Sequence, residues 1–159
     1  MGKTELQWKD LNARGLRIAV VAARYNPRVA DGLLKGALLA LHELGLSESE
    51  LDVYRVPGAF ELPLLAQQIA KTGKCDAVVC LGVVIRGDTS HFDYVCEGVT
   101  QGTMRAMLQT EVPMAFGVLT TDNEAQALAR SGEDGHNKGR EAALTAVEMA
   151  LLKKRVRNG

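Results

Sequence analysis

Aromatic residues are scarce in this 159-residue chain, with one Trp, three Tyr and three Phe, and proline occurs only four times. A core built on stacked rings is therefore excluded, and burial must come from the aliphatic residues that dominate a 47% hydrophobic composition. Neither sign of charge prevails: Lys+Arg and Asp+Glu both number 19, for a formal net charge of zero. Nothing in that balance argues for nucleic acid or an anionic membrane as partner. No apolar run approaches a membrane span, the longest being broken by Arg86, and the first residues have no apolar h-region, so a cytoplasmic location is expected. The three cysteines, Cys75, Cys80 and Cys96, are odd in number and lack metal-ligand spacing. They read as reduced thiols, with Cys80 a small core residue. Metal-ligand patterns, a dinucleotide glycine fingerprint and a P-loop are all absent.

What is present is an alternation of strands and helices within one domain spanning residues 1–159. Arg17 to Ala23 reads as a core strand, and Asn26-Pro27 as a helix start in which Asn26 caps and Pro27 occupies the first turn. Val29, Leu33, Leu34, Ala37, Leu38 and Leu41 then recur at helical spacing until Gly45. Leu51 to Val56 is a second strand and Phe60 to Lys71 a helix. Ala77 to Ile85 is a third strand, followed by a helix over Thr89 to Gln109 and a fourth strand over Val112 to Leu119. Helices close the chain over Asp122 to Arg130 and about Asn137 to Lys154, the last with Ala143, Leu144, Val147 and Leu151 on one face. This βαβαβαβα order predicts a four-stranded parallel sheet between helices, a core over 16–154. The arm before it, residues 1–15, alternates Leu6 and Trp8 with polar residues. It fits equally a short strand added to a neighbour's sheet edge and a loosely packed extension.

Chemistry concentrates where strands end. The unbroken apolar run into Ile85 stops at Arg86-Gly87-Asp88-Thr89-Ser90-His91, where helix begins again. Backbone amides at a helix N-terminus attract phosphate, the Thr89 hydroxyl adds a donor, and His91 brings an imidazole, the side-chain type best suited to moving protons near neutral pH. Taken alone, this turn equally fits an ordinary strand-to-helix connection with a solvated histidine. Tyr25, after the first strand, suits stacking on a planar ring or simple packing. After the second strand, Gly58-Ala59-Phe60-Glu61 offers close backbone approach, free amides and a carboxylate for hydroxyl groups. Glu61 equally serves as a first-turn acid facing the helix dipole. Phe116-Gly117 adds a second aromatic after the fourth strand begins.

In this order and spacing, Arg24-Tyr25-Asn26, Gly58 to Pro63, Gly82 to Phe92, Phe116 to Thr121 and Asn137-Lys138-Gly139 resemble the 6,7-dimethyl-8-ribityllumazine synthase family over about Gly15 to Lys154. The resemblance implies a flavodoxin-like three-layer α/β/α sandwich and a transferase of riboflavin biosynthesis acting without a cofactor. It would condense 5-amino-6-(D-ribitylamino)uracil with 3,4-dihydroxy-2-butanone 4-phosphate, releasing phosphate and water. Carried over by position, Tyr25 stacks on the pyrimidine. Ala59, Phe60 and Glu61 meet the ribityl chain, while Val83, Val84 and Ile85 line the heterocycle. Gly87, Asp88 and Thr89 form the phosphate loop and His91 transfers protons. Phe116, Arg130 and Lys138 also enter the pocket, Phe116 and Arg130 from an adjacent subunit.

The resemblance further implies homopentamers, assembled as twelve in a sixty-subunit shell, with association with riboflavin synthase open to such a shell. The chain departs from the family pattern in the loop Asp134-Gly135-His136, which changes the local charge, and an acid stands within the phosphate loop at Asp88. Two other readings compete. A non-catalytic flavin- or lumazine-binding shell protein would keep Tyr25 and Glu61 without needing His91, Arg130 and Lys138 together. A generic phosphate-binding flavodoxin-like module would explain the turn after Ile85 but not the two aromatics.

Overall fold

A computed structural model describes residues 8–159. The sheet forms from β1 (Ile18–Ala23), β2 (Leu51–Val56), β3 (Ala77–Ile85) and β4 (Met114–Thr121), all parallel, in the order β2-β1-β3-β4. The two strands with uninterrupted apolar sequence take the centre. Every residue of β1 is buried and β3 is buried up to Ile85, as strands covered on both faces must be. β2 alternates apolar with charged residues and lies at an edge, with Asp52 to Arg55 exposed.

Helices α1 (Pro27–Glu43), α4 (Glu124–Leu128) and α5 (Lys138–Asn158) pack on one face through Leu33, Leu41, Ala127, Ala143 and Val147. Helices α2 (Leu62–Lys71) and α3 (His91–Thr110) cover the other through Leu62, Ala66, Val99 and Ala106. This three-layer α/β/α arrangement carries the flavodoxin-like strand order, whose topological switch point lies between β1 and β3. Among the described residues no helix is long and apolar enough to cross a membrane.

β2 and β3 run over the residues expected of them. β4 starts and ends two residues later than expected, because Pro113 lacks the N–H a ladder needs and the pairing continues to Ile85↔Thr121. The expected helix over Asp122 to Arg130 contracts to five residues, and α5 runs on to Asn158.

Asn26 departs from expectation. Its backbone is left-handed at φ 57°, and its side chain caps nothing. A side-chain cap needs an extended backbone at that position, as Asn123 and Asn137 have when they accept from the amides of Gln126 and Arg140. Asn26 instead uses its carbonyl, which accepts from the amides of Val29 and Ala30 at 3.1 and 2.9 Å.

The strand expected within Glu5 to Gly15 falls partly on Glu5 to Gln7, outside the described residues. Trp8 to Gly15 forms turns and no strand within this chain. Trp8 Nε1 donates to Glu148 Oε2 at 3.0 Å, and the Ala13 amide donates to the Leu44 carbonyl at 2.8 Å.

Candidate active site

A cleft of about 430 Å³ opens at the carboxyl ends of β1, β2 and β3, at the switch point. Tyr25 reaches it from the β1–α1 turn, which is held by paired backbone bonds: the Arg24 amide donates to the Val56 carbonyl at 2.8 Å and the Tyr25 amide to Pro57 at 2.9 Å. Arg55 reinforces the turn, donating to the carbonyls of Ala22 and Ala23 while pairing with Asp31 at 2.9 Å. The Tyr25 ring lies against Gly58, where a Cβ would come within 2.6 Å of it. Glycine is what lets the ring settle there.

Ala59, Phe60 and Glu61 enter the cleft from a short 3-10 turn between β2 and α2. Glu61 Oε2 accepts from the Gly58 amide at 2.9 Å, one half of a capping box, since glycine has no side chain to return the bond, and this holds the carboxylate at the mouth of the cleft. This is the helix-start role expected of it, and its second oxygen takes no hydrogen bond from the described residues. Val83, Val84 and Ile85 form the apolar floor at the end of β3.

His91 occupies the first position of α3, exposed, and its backbone amide donates to the Thr89 hydroxyl at 3.3 Å. Thr89 is thus committed to the start of α3 as an acceptor while its hydroxyl proton stays available. The turn Gly87-Asp88-Thr89 connects the floor to His91, and among the described residues nothing accepts from its amides. Arg86, just before it, is spent on structure. Its amide donates to Thr121, its side chain donates to Asp122 at 3.0 Å and Asp93 at 3.4 Å, and its guanidinium stacks 4.3 Å over Phe92. The hydrogen bond it donates to Asp122 and the nearby carboxylate charges raise its pKa further.

Phe116, Arg130 and Lys138 lie elsewhere. They line a second cleft of about 470 Å³ along β4 and α5 that shares no residue with the first. There the Lys138 amide donates to the Arg130 carbonyl at 2.9 Å, the Arg130 guanidinium to Gln126 at 2.9 Å, and Lys138 Nζ to Glu141 at 2.7 Å. One chain therefore brings together eight of the expected residues, Tyr25, Ala59, Phe60, Glu61, Val83, Val84, Ile85 and His91, and holds three others apart from them. The departing loop makes local bonds: the His136 amide donates to Asp134 at 3.2 Å, and Lys35 pairs with Glu133, whose carboxyl it holds below the usual range.

Four residues of the first cleft escaped the sequence analysis as site residues. Asn26 and Gly58 adjoin residues that were singled out. Tyr94 and Val95 follow His91 by three and four positions, the spacing that puts helical neighbours on one face. That spacing was a readable signal. Among the described residues no three His, Cys, Asp or Glu side chains converge as a metal-binding group.

The family model described as 6,7-dimethyl-8-ribityllumazine synthase matches residues 15–154. A protein of Salinibacter ruber (strain DSM 13855 / M31), named 6,7-dimethyl-8-ribityllumazine synthase, is 53% identical over 143 residues, covering 90% of this chain and 92% of that protein. With a family match across nearly the whole sheet-and-helix core and a relative aligned along most of its length, the chain belongs to the 6,7-dimethyl-8-ribityllumazine synthase family.

Proposed function

We propose that the two clefts are the two halves of one active site, completed between neighbouring copies of the chain. As a member of its family the chain is a transferase of riboflavin biosynthesis that forms 6,7-dimethyl-8-ribityllumazine. The observation that carries the shared-site reading is the separation itself: the residues read as ring-binding and proton-transferring line one cleft, and Phe116, Arg130 and Lys138 line another with no residue in common. Large apolar residues in the first cleft support a neighbour there, with Phe60 and Tyr94 exposed at 60% and 69%.

In this reading the pyrimidine of 5-amino-6-(D-ribitylamino)uracil stacks on Tyr25 over the floor of Val83, Val84 and Ile85. Glu61 accepts from ribityl hydroxyls beside Ala59 and Phe60. The neighbour's Phe116 closes the ring pocket. The phosphate of 3,4-dihydroxy-2-butanone 4-phosphate sits on the amides of Gly87, Asp88 and Thr89, clamped by Arg130 and Lys138 from the neighbour, a guanidinium fork and an ammonium suited to a dianion.

The uracil amine attacks the ketone and water leaves as the imine forms. Phosphate is eliminated, the resulting enol returns to a ketone by proton transfer, and the ribityl-bearing nitrogen attacks that carbonyl, a second water leaving as the ring closes. His91 moves protons in these steps, and alignment of the two substrates supplies much of the acceleration. The edge of β2 that pairs with no strand among the described residues offers a place for a neighbour's N-terminal arm to add as a strand, and pentamers assembling into a sixty-subunit shell are the quaternary form we assign.

Mixing the purified protein with both substrates tests the reading. Lumazine fluorescence appearing in step with one phosphate per turnover is expected. Tight flavin or lumazine binding without turnover would replace the enzyme with a binding shell.

A further inference from the structure

Asn137 belongs to the Asn137-Lys138-Gly139 motif but lines neither half of the candidate site. It is nonetheless 6% exposed, and every polar atom of its side chain is engaged. Oδ1 accepts from the Arg140 amide at 3.0 Å, an ordinary helix cap. Nδ2 does something a cap does not require: it donates to the carbonyl of Gly32 in α1 at 3.0 Å and to that of Gly132 in the loop before α5 at 3.1 Å. The loop from Ser131 to His136 follows Arg130, two residues beyond the end of α4, and meets α5 at Lys138, so a tie at Asn137 holds both of its ends against α1. The link to Arg130 is direct, since the next amide along, that of Lys138, donates to the Arg130 carbonyl at 2.9 Å. Space for the tie comes from Gly36, where a Cβ would lie 2.2 Å from Asn137 Oδ1 and 2.7 Å from Nδ2.

We infer that Asn137 is a positioning residue for the phosphorylated substrate: by latching the α4–α5 loop onto α1, it sets where Arg130 and Lys138 stand relative to one another. The inference rests on the reading of those two residues as a phosphate clamp. An arginine fork gains its strength from planar, paired geometry, and a loop that drifts forfeits that while keeping both charges.

Two substitutions disturb the latch from opposite sides. Asn137→Ser keeps an oxygen for the helix cap but is too short to reach the carbonyls of Gly32 and Gly132. Gly36→Ala keeps the asparagine but presses a Cβ into its amide and displaces it, and the gain in helix propensity of α1 offsets only part of that crowding. In steady-state kinetics each should raise the KM for 3,4-dihydroxy-2-butanone 4-phosphate about tenfold and leave the KM for the uracil substrate within about twofold. Arg130→Ala, run beside them, should raise the same KM. If Arg130→Ala raises it and neither latch variant does, Asn137 is a helix cap and the inference is overturned. Equal rises in both Michaelis constants would likewise reduce it to a general structural role. If Arg130→Ala leaves the phosphate-substrate KM unchanged, the clamp reading fails and takes the inference with it.

Discussion

His91 stands where the turn after β3 ends and α3 begins, the position from which we propose it transfers protons. Its imidazole is exposed at the first turn of α3, three and four residues before Tyr94 and Val95, and close in sequence to amides with no partner among the described residues. Replacing it with alanine should slow turnover about ten- to a thousandfold with little effect on the affinity for the uracil substrate, since aligned substrates still react in part. Saturating kinetics that show an unchanged kcat would remove His91 from proton transfer. Cys80 illustrates the opposite environment. Fully buried in β3, its thiol is pushed up to about 12 by desolvation. Because the folded pKa lies above the unfolded value, stability from the neutral thiol is present below about pH 9 and is lost as pH rises towards 12. The stability advantage of wild type over Cys80→Ala should therefore narrow by roughly 2 kcal/mol between about pH 9 and about pH 11. A constant difference across denaturant unfolding curves in that range would contradict it. At this scale residue identity was readable but conformation was not. Asn26-Pro27 looks like a side-chain cap because both residue types favour helix starts, yet a left-handed backbone at Asn26 turns that expectation aside. Glu61 could be read as ribityl acceptor or dipole partner, and its bond to the Gly58 amide engages one carboxylate oxygen while the other has no partner among the described residues.

Elements were legible wherever periodicity was unmixed. β3 is apolar throughout and α1 repeats its large residues on one stripe, so burial alone picks their period. The segment after β4 was harder, because Asp122 to Arg130 carries a helical composition but forms only five helical residues before the chain turns towards α5. Backbone proximity between helices was not legible at all, since a glycine in a sequence does not say what presses against it. At Gly139 the answer is α1: a Cβ there would lie 2.0 Å from the Leu33 carbonyl oxygen. That atom belongs to backbone and cannot swing aside. Gly139→Ala should therefore push α5 off α1 and destabilise the subunit by about 1–3 kcal/mol despite its better helix propensity. Thermal unfolding reads this directly, and a melting temperature at or above wild type would show that the α1–α5 contact is looser than described.

On the scale of the whole molecule, the sheet order places every strand's carboxyl end on one edge, yet the site residues divide between two clefts. Motif spacing along a chain reports which residues serve a common chemistry. It does not report whether they do so within one copy, because residues related by an interface leave the same marks in sequence as residues related by a fold. Tyr25, Phe60 and Phe116 are exposed at 63%, 60% and 46% in the single subunit, as the proposed division requires. The most direct measurement mixes His91→Ala subunits with Arg130→Ala subunits at equal amounts, dissociates them and lets them reassemble. If neighbours share each site, about a quarter of the sites in random mixed assemblies pair an intact His91 with an intact Arg130, and activity returns to about that fraction of wild type. If one chain builds each site alone, every site keeps one defect, and verified co-assembly with no gain in activity over the separate variants contradicts the account.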